Sequence, residues 1–276
     1  MVVEESKSMK RNIALFIVLV LTVSSLVACG SRKSEKEKFV VGFDAEFEPY
    51  GFRNKDGEYV GFDLDLAQEV SNRNNWELVK QPIDWDAKDM ELSSGAIDCI
   101  WNGFTINGRE DNYTWSSPYV NNSQVFVVSS ASGIKNQSDL AGKLVAVQKD
   151  SSALAALKDD ENKQLKDSFS QLMEFGDYNT AFMELEMGTV DAIAMDIGVA
   201  KAQMSSRDSD KFTILDEYLS SEQYGVGFLL GNEELRDKVE KTLMDMLKDG
   251  TFMEIANKLL RCGFFANSTS LNFCSE

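Results

Sequence analysis

The chain has 276 residues, with 45 acidic against 28 basic side chains, a formal net charge of -17 and no histidine. So acidic a surface excludes nucleic acid and anionic membrane surfaces as electrostatic partners. The missing histidine removes Ser-His-Asp and Cys-His nucleophile systems and the usual zinc and non-haem iron ligand sets, so neither a metal nor another cofactor is expected.

The first element is a targeting segment. Lys7, Lys10 and Arg11 precede an apolar run from Ile13 to Leu21, which leads through small residues to Leu26-Val27-Ala28-Cys29. The run falls short of the roughly 20 apolar residues that span a bilayer, so residues 1–28 read as a secretory signal, starting at Met1 or at Met9. Leu-Val-Ala-Cys resembles the bacterial lipobox, in which the cysteine is acylated and becomes the first mature residue. Cys29 is then the tether, and two acyl chains at about 0.8 kcal/mol per buried CH₂ hold stably where one does not. Residues 29–38, rich in Ser, Lys and Glu, read as a lipidated flexible spacer, and the folded part begins near Phe39. The remaining length suits two domains.

The predicted elements then alternate. A short strand at Lys38-Phe39-Val40-Val41 runs into the turn Asp44-Ala45-Glu46-Phe47-Glu48-Pro49-Tyr50. A helix follows from Gly61, with Asp63 and Asp65 in its first turn and Leu66 and Val70 on one face. Glu91-Leu92-Ser93-Ser94-Gly95-Ala96-Ile97-Asp98-Cys99-Ile100 is echoed by Glu184-Leu185-Glu186-Met187-Gly188-Thr189-Val190-Asp191-Ala192-Ile193. Each copy reads as a helix stopped by glycine and then a buried strand. Lys143-Leu144-Val145-Ala146 likewise echoes Lys38-Phe39-Val40-Val41. Two echoes in one order imply two α/β lobes of one topology with mainly parallel central sheets. Ser123–Val128 and Tyr224–Phe228 are extended segments suited to two hinge strands. That assigns 39–122 plus 226–276 to lobe 1 and 123–225 to lobe 2. A last helix runs from Glu233 through Leu247 and stops at Asp249-Gly250. Cys99 sits in an apolar run and reads as core; Cys262 and Cys274 can close a disulfide outside the cytoplasm.

In open α/β sheets ligands bind beyond the carboxyl ends of strands. There the sequence offers Arg109, the hydroxyl pair Ser151 and Ser152 at a helix start, and Asp196. An amino-acid zwitterion matches them, with Arg109 and Ser152 on its carboxylate, Asp196 on its ammonium, and Phe47 and Trp85 as apolar walls. Each has a structural alternative: Arg109 paired with Glu110 or Asp111, Asp196 or the serines as helix caps, and Phe47, Trp85 and Trp101 as core.

Gly42-Phe43-Asp44-Ala45-Glu46-Phe47-Glu48-Pro49-Tyr50, Gly61-Phe62-Asp63-Leu64-Asp65-Leu66-Ala67, Asn102-Gly103-Phe104-Thr105 with Arg109, Ser117-Pro118-Tyr119, Tyr224-Gly225-Val226 and Asp249-Gly250-Thr251-Phe252 occur in order over nearly the whole mature chain. Together they resemble the polar amino-acid family of solute-binding proteins that serve ABC importers. The resemblance implies the type 2 periplasmic-binding-protein fold and a non-enzymatic receptor. It also implies an extracytoplasmic, lipid-anchored monomer that binds a polar amino acid and docks on ABC permease subunits. It makes Arg109 the carboxylate clamp, Asp196 the ammonium partner, Phe47 and Trp85 the walls, and Thr105 or the Gly103 backbone, with Ser152, the further hydrogen-bonding groups; Phe104 lies within the same motif, and Asp44 corresponds to a position that can face the ligand side chain. The segment from Gly103 to Arg109 is one residue shorter than the family's usual pattern, and Asn107-Gly108 stands in the gap. An uncharged amino acid such as glutamine, or a cystine-like compound, is favoured, with basic amino acids next. The competing readings are a cleft dehydratase or lyase, which needs an acid and base pair, and a sensor domain, which needs a C-terminal membrane segment.

Overall fold

The computed structural model describes residues 36–261. Residues 1–28, read above as a signal, together with Cys29, Cys262 and Cys274, lie outside the described residues. Within them the chain folds twice as the same strand–helix–strand–helix–strand unit. In the first, β1 (Lys38–Phe43), α1 (Phe62–Arg73), β5 (Glu77–Pro82), α2 (Lys88–Ser94) and β6 (Cys99–Thr105) place β1 between β5 and β6, all parallel. A small antiparallel sheet of β2 (Glu46–Phe47), β3 (Gly51–Arg53) and β4 (Tyr59–Val60) is inserted after β1. In the second unit, β9 (Leu144–Gln148), α3 (Ser152–Lys158), α4 (Lys163–Ser168), β10 (Gln171–Phe175), α5 (Tyr178–Met187) and β11 (Ala192–Asp196) place β9 between β10 and β11, again all parallel. β6 is buried along its whole length, as a strand covered on both faces must be.

Two long strands join the units. β8 (Val120–Ser129) runs antiparallel to β11, and β13 (Ser220–Phe228) runs antiparallel to β6. They also pair with each other, Tyr224 opposite Val120 and Ser220 opposite Gln124, which makes one continuous sheet in the order β10-β9-β11-β8-β13-β6-β1-β5. β7 (Thr114–Trp115) adds to β13 and β12 (Phe212–Ile214) to β8. After β11 the chain forms α6 (Ile197–Ser205); after β13 it forms α7 (Glu233–Asp249) and α8 (Thr251–Arg261), which return to pack on α1. This is the two-lobed α/β architecture with two connecting strands that the echoes require.

The echo has a local cause. Gly95 and Gly188 both end their helices in the left-handed conformation, with φ of 76° and 73°, at no steric cost for glycine. Three residues on, the Asp98 carboxylate accepts from Val40 N–H (2.7 Å) while its own N–H donates to the Val40 carbonyl (2.8 Å). Asp191 does the same with Leu144, at 2.8 Å in each direction. The repeated aspartate thus ties the start of one strand to the start of its parallel neighbour. The strand echo itself is offset by one: β-sheet register equates Val40 with Leu144, not Phe39 with Leu144. The two lysines that open the motifs are therefore not equivalent.

Candidate functional site

The carboxyl ends of the central strands of both units face each other, and the two lobes touch there. Asp44, just past β1, accepts a hydrogen bond from Gln148 Nε2 at the end of β9 (2.6 Å) and from Glu46 N–H (2.8 Å). Thr105, at the end of β6, donates to Ser152 Oγ at the start of α3 (3.1 Å). Lys88, 1% exposed, forms an ion pair with Asp150 across the cleft; Asp150 adopts φ 52°, within the left-handed region.

Arg109 stands at the rim. Its guanidinium donates to the carbonyls of Thr105 (3.3 Å) and Asp150 (3.4 Å), and Cζ lies 5.3 Å from the Phe104 ring centre. It forms no ion pair with Glu110 or Asp111, and both of its contacts are long and carbonyl-directed. Phe47 and Trp85 stack, rings 5° from parallel and 6.5 Å apart, and Phe47 also meets Tyr178 from the second lobe at 6.2 Å. Phe104, in contrast, turns away into a satellite core with Tyr113 and Trp115, 5.0 and 4.8 Å away. On a strand, neighbours point to opposite faces, so Gly103 and Thr105 face the cleft where Phe104 cannot.

Ser151 and Ser152 divide the work expected of the pair. Ser151 caps α3, accepting from Leu154 N–H (3.2 Å) and donating to the Gln148 carbonyl (2.8 Å). Ser152 is the cleft hydroxyl. Asp196 occupies the cap position of α6 but its side chain makes no cap bond. It turns instead to the joining strands, accepting from Asn122 Nδ2 (2.8 Å), Gln124 Nε2 (2.9 Å) and the Tyr224 hydroxyl. Burial, and then the charge of Glu222, push its carboxyl up to about 8.

Sequence reasoning missed several groups here. Asp63 reads as a helix-dipole residue, yet it is fully buried; its Oδ2 accepts from Gly103 N–H (2.6 Å) and from the Tyr119 hydroxyl (2.9 Å), fixing the left-handed Gly103 at φ 57°. Burial outweighs those bonds and raises Asp63 to about 7. Asn107 accepts from Gln223 N–H (2.7 Å), so the shortened segment is stitched to β13. Lys88, Gln124 and Glu222 carried no motif. Only the period-two spacing of Asn122 with Gln124, and of Glu222 with Tyr224, placed each pair on one strand face.

A cavity of about 660 Å³ opens between the lobes beside Trp85. Carboxylates line it, from Asp44, Glu46, Asp84, Asp86, Glu91 and Asp177, with Lys149 opposing them. Asp44 is raised to about 6 by burial, against the Glu46 and Gln148 hydrogen bonds; Glu46 is raised by burial and then by Asp177. The cavity therefore has a negative field with no matching cationic wall, which favours a cationic occupant.

Residues 39–261 match the sequence pattern of the bacterial extracellular solute-binding proteins, family 3. The L-cystine-binding protein TcyJ of Escherichia coli (strain K12) is 29% identical over 250 residues, covering 89% of this chain and 91% of the relative. The arginine-binding extracellular protein ArtP of Bacillus subtilis (strain 168) is 25% identical over 256 residues, covering 91% and 98%. Among solved structures, a histidine-bound substrate-binding protein of an ABC uptake transporter from Streptococcus pneumoniae superposes with a TM-score of 0.78 at 31% identity, covering 84% of this chain and 95% of the other. An ancestral arginine-binding protein bound to arginine gives 0.75 at 35% identity, covering 82% and 99%. With a match across both lobes and the joining strands, the chain belongs to the bacterial extracellular solute-binding proteins, family 3.

Proposed function

We propose that this protein is the extracytoplasmic receptor of an amino-acid ABC importer, tethered by a lipid on Cys29, and that it delivers its ligand to the permease without chemical change. The observation that carries the reading is that, among the described residues, Arg109, in lobe 1, donates only to the carbonyls of Thr105 and Asp150, while Asp196, in lobe 2, is a buried carboxylate with only neutral donors. Arg109 clamps the ligand carboxylate, helped by Thr105 and Ser152, and Asp196 takes the ammonium. A ligand shifts an open–closed equilibrium only by binding the two states differently, and contacts from both lobes supply that difference. Lobe 1 is 39–122 plus 226–276 and lobe 2 is 123–225, with closure about β8 and β13.

The acid-lined cavity beside Trp85 reorders the ligand preference. An amino acid with a cationic side chain, extended between Phe47 and Trp85, reaches Asp44, Glu46 and Asp177. Such a side chain comes first, ahead of glutamine. Cystine, whose far end carries both an ammonium and a carboxylate, is the second reading, because Lys149 lies among the carboxylates.

The test is a thermal-shift screen of the chain from residue 30 onward, after unfolding and refolding to strip bound ligand, against the twenty amino acids, ornithine and cystine. A ligand that binds only the native state raises Tm with concentration. A shift with arginine, lysine or ornithine supports the cationic reading, a shift with cystine supports the second, and no shift with any compound refutes the receptor reading.

A further inference from the structure

Asp196 does not stand alone. Glu222, 6% exposed on β13, faces the same point, and the two carboxylates share their donors. Asn122 Nδ2 lies 2.8 Å from Asp196 Oδ1 and 2.7 Å from Glu222 Oε1, and Gln124 Nε2 lies 2.9 Å and 2.7 Å from the same two oxygens. The groups around them are hydroxyls: Tyr224, bonded to Asp196, with Tyr50 and Tyr178, whose own ionisation is opposed by burial first and then by both carboxylates. The charges that act through those rings, Asp63 on Tyr50 and Asp44 on Tyr178, are also negative. Among the described residues, no lysine or arginine forms an ion pair with Asp196 or Glu222. A second observation points the same way: Gln124 is fully buried, its amide nitrogen has the two carboxylates and Ser152 Oγ within hydrogen-bond distance for its two N–H groups, and its Oε1 has no hydrogen-bond partner.

Burial, and then the neighbouring Glu222, favour the protonated form of Asp196, and a cation entering between the two carboxylates takes that proton's place. We propose that Glu222 is a second ammonium-binding carboxylate, which with Asp196 and the Gln124 carbonyl forms a three-acceptor cage that exchanges the Asp196 proton for the α-ammonium of the bound amino acid. The proton leaves to solvent as the ammonium enters, so one positive charge replaces another. An ammonium has three N–H donors, and the cage offers three acceptors. The inference rests on the receptor reading, and it makes binding proton-linked.

Isothermal calorimetry of L-arginine and of L-cystine, in two buffers of different ionisation enthalpy at pH 7, counts the protons released. Wild type is expected to release close to one proton per ligand, and its affinity is expected to rise up to about tenfold per pH unit from pH 6 to 8. Glu222→Gln removes the like charge and leaves burial alone to hold the Asp196 proton, so proton release per ligand is expected to fall measurably below that of wild type and the pH dependence to flatten. The variant's affinity at pH 8 is expected to be about tenfold or more weaker. A purely structural Glu222 would change stability but not proton count. Wild type that binds either ligand with no proton release, or a Glu222→Gln protein that releases as many protons as wild type, overturns the cage while leaving the receptor reading intact. Binding of neither ligand by wild type, together with a blank amino-acid screen, overturns both.

Discussion

Asp63 gives the sharpest quantitative expectation, because it is fully buried, has only neutral partners and keeps Oδ1 without one. Its carboxyl moves from the ordinary 3.8 to about 7 on folding. The raised value means that the native state holds the proton more tightly than the unfolded chain. The stability from Asp63 is therefore fully present below about pH 4 and is lost as pH rises through about 7, at about 1.4 kcal/mol per pH unit and about 4 kcal/mol in all. Asp63→Asn removes that titration while its carbonyl can still accept from Gly103 and Tyr119. Urea unfolding of ligand-free protein at pH 5 and pH 8 should show wild type less stable at pH 8. Asp44 and Asp196, both raised, add to the same slope. The Asp63→Asn protein should recover about 2–3 kcal/mol of the loss at pH 8. An Asn variant that loses stability equally at both pH values would mean that the ionised carboxylate is the stabilising form, and the reasoning would be wrong.

Other expectations follow from single positions. Arg109→Lys keeps the charge but loses the two-pronged geometry, and should weaken amino-acid binding about a hundredfold by calorimetry with no change in Tm of the free protein. A methyl group at Gly61, with φ 139°, would lie 2.2 Å from the Tyr50 carbonyl oxygen; Gly61→Ala should cost about 3 kcal/mol or more in urea unfolding. At Gly103 the added Cβ would meet Phe47 at 2.9 Å and Tyr224 at 3.0 Å, so Gly103→Ala should weaken ligand binding at least tenfold as those rings are displaced. Asp150→Asn leaves Lys88 buried without its counter-ion. Because Asp150 is itself half exposed, the cost should be about 1–2 kcal/mol, less than for a fully buried pair.

The sequence made the strand–helix alternation, the glycine stops and the two joining segments legible because each is a local signal. Gly95 and Gly188 could be read as helix stops from spacing alone, and they are. Offsets between echoes were not legible: Lys38 and Lys143 look equivalent, but sheet register depends on where Asp98 and Asp191 anchor the neighbouring strand. At the cleft, Arg109, Ser152, Thr105, Phe47, Trp85 and Asp196 were legible as residue types following strands. Ser151 and Phe104 were not separable from them, since a cap hydroxyl and a cleft hydroxyl, or two faces of one strand, look alike until the register is known. Asp63, Lys88 and Glu222 stayed hidden for a different reason. A charged residue on an acidic chain reads as surface, and only tertiary packing shows that these three are buried.

The pairing of β6 with β13 also bears on the order in which the chain acquires its structure. Thr105 lies opposite Tyr224, so the free edge of β6 cannot be covered until everything between them has been made. The segment from β8 to β12, by contrast, carries its own three parallel strands and their antiparallel neighbours without a break. Non-local strand pairing is slow to form, and an uncovered edge is open to wrong partners in the meantime. The middle of the chain should therefore gain amide protection first and β1, β5 and β6 last, so that the arrival of one strand, β13, completes the older half of the polypeptide and joins it to the younger.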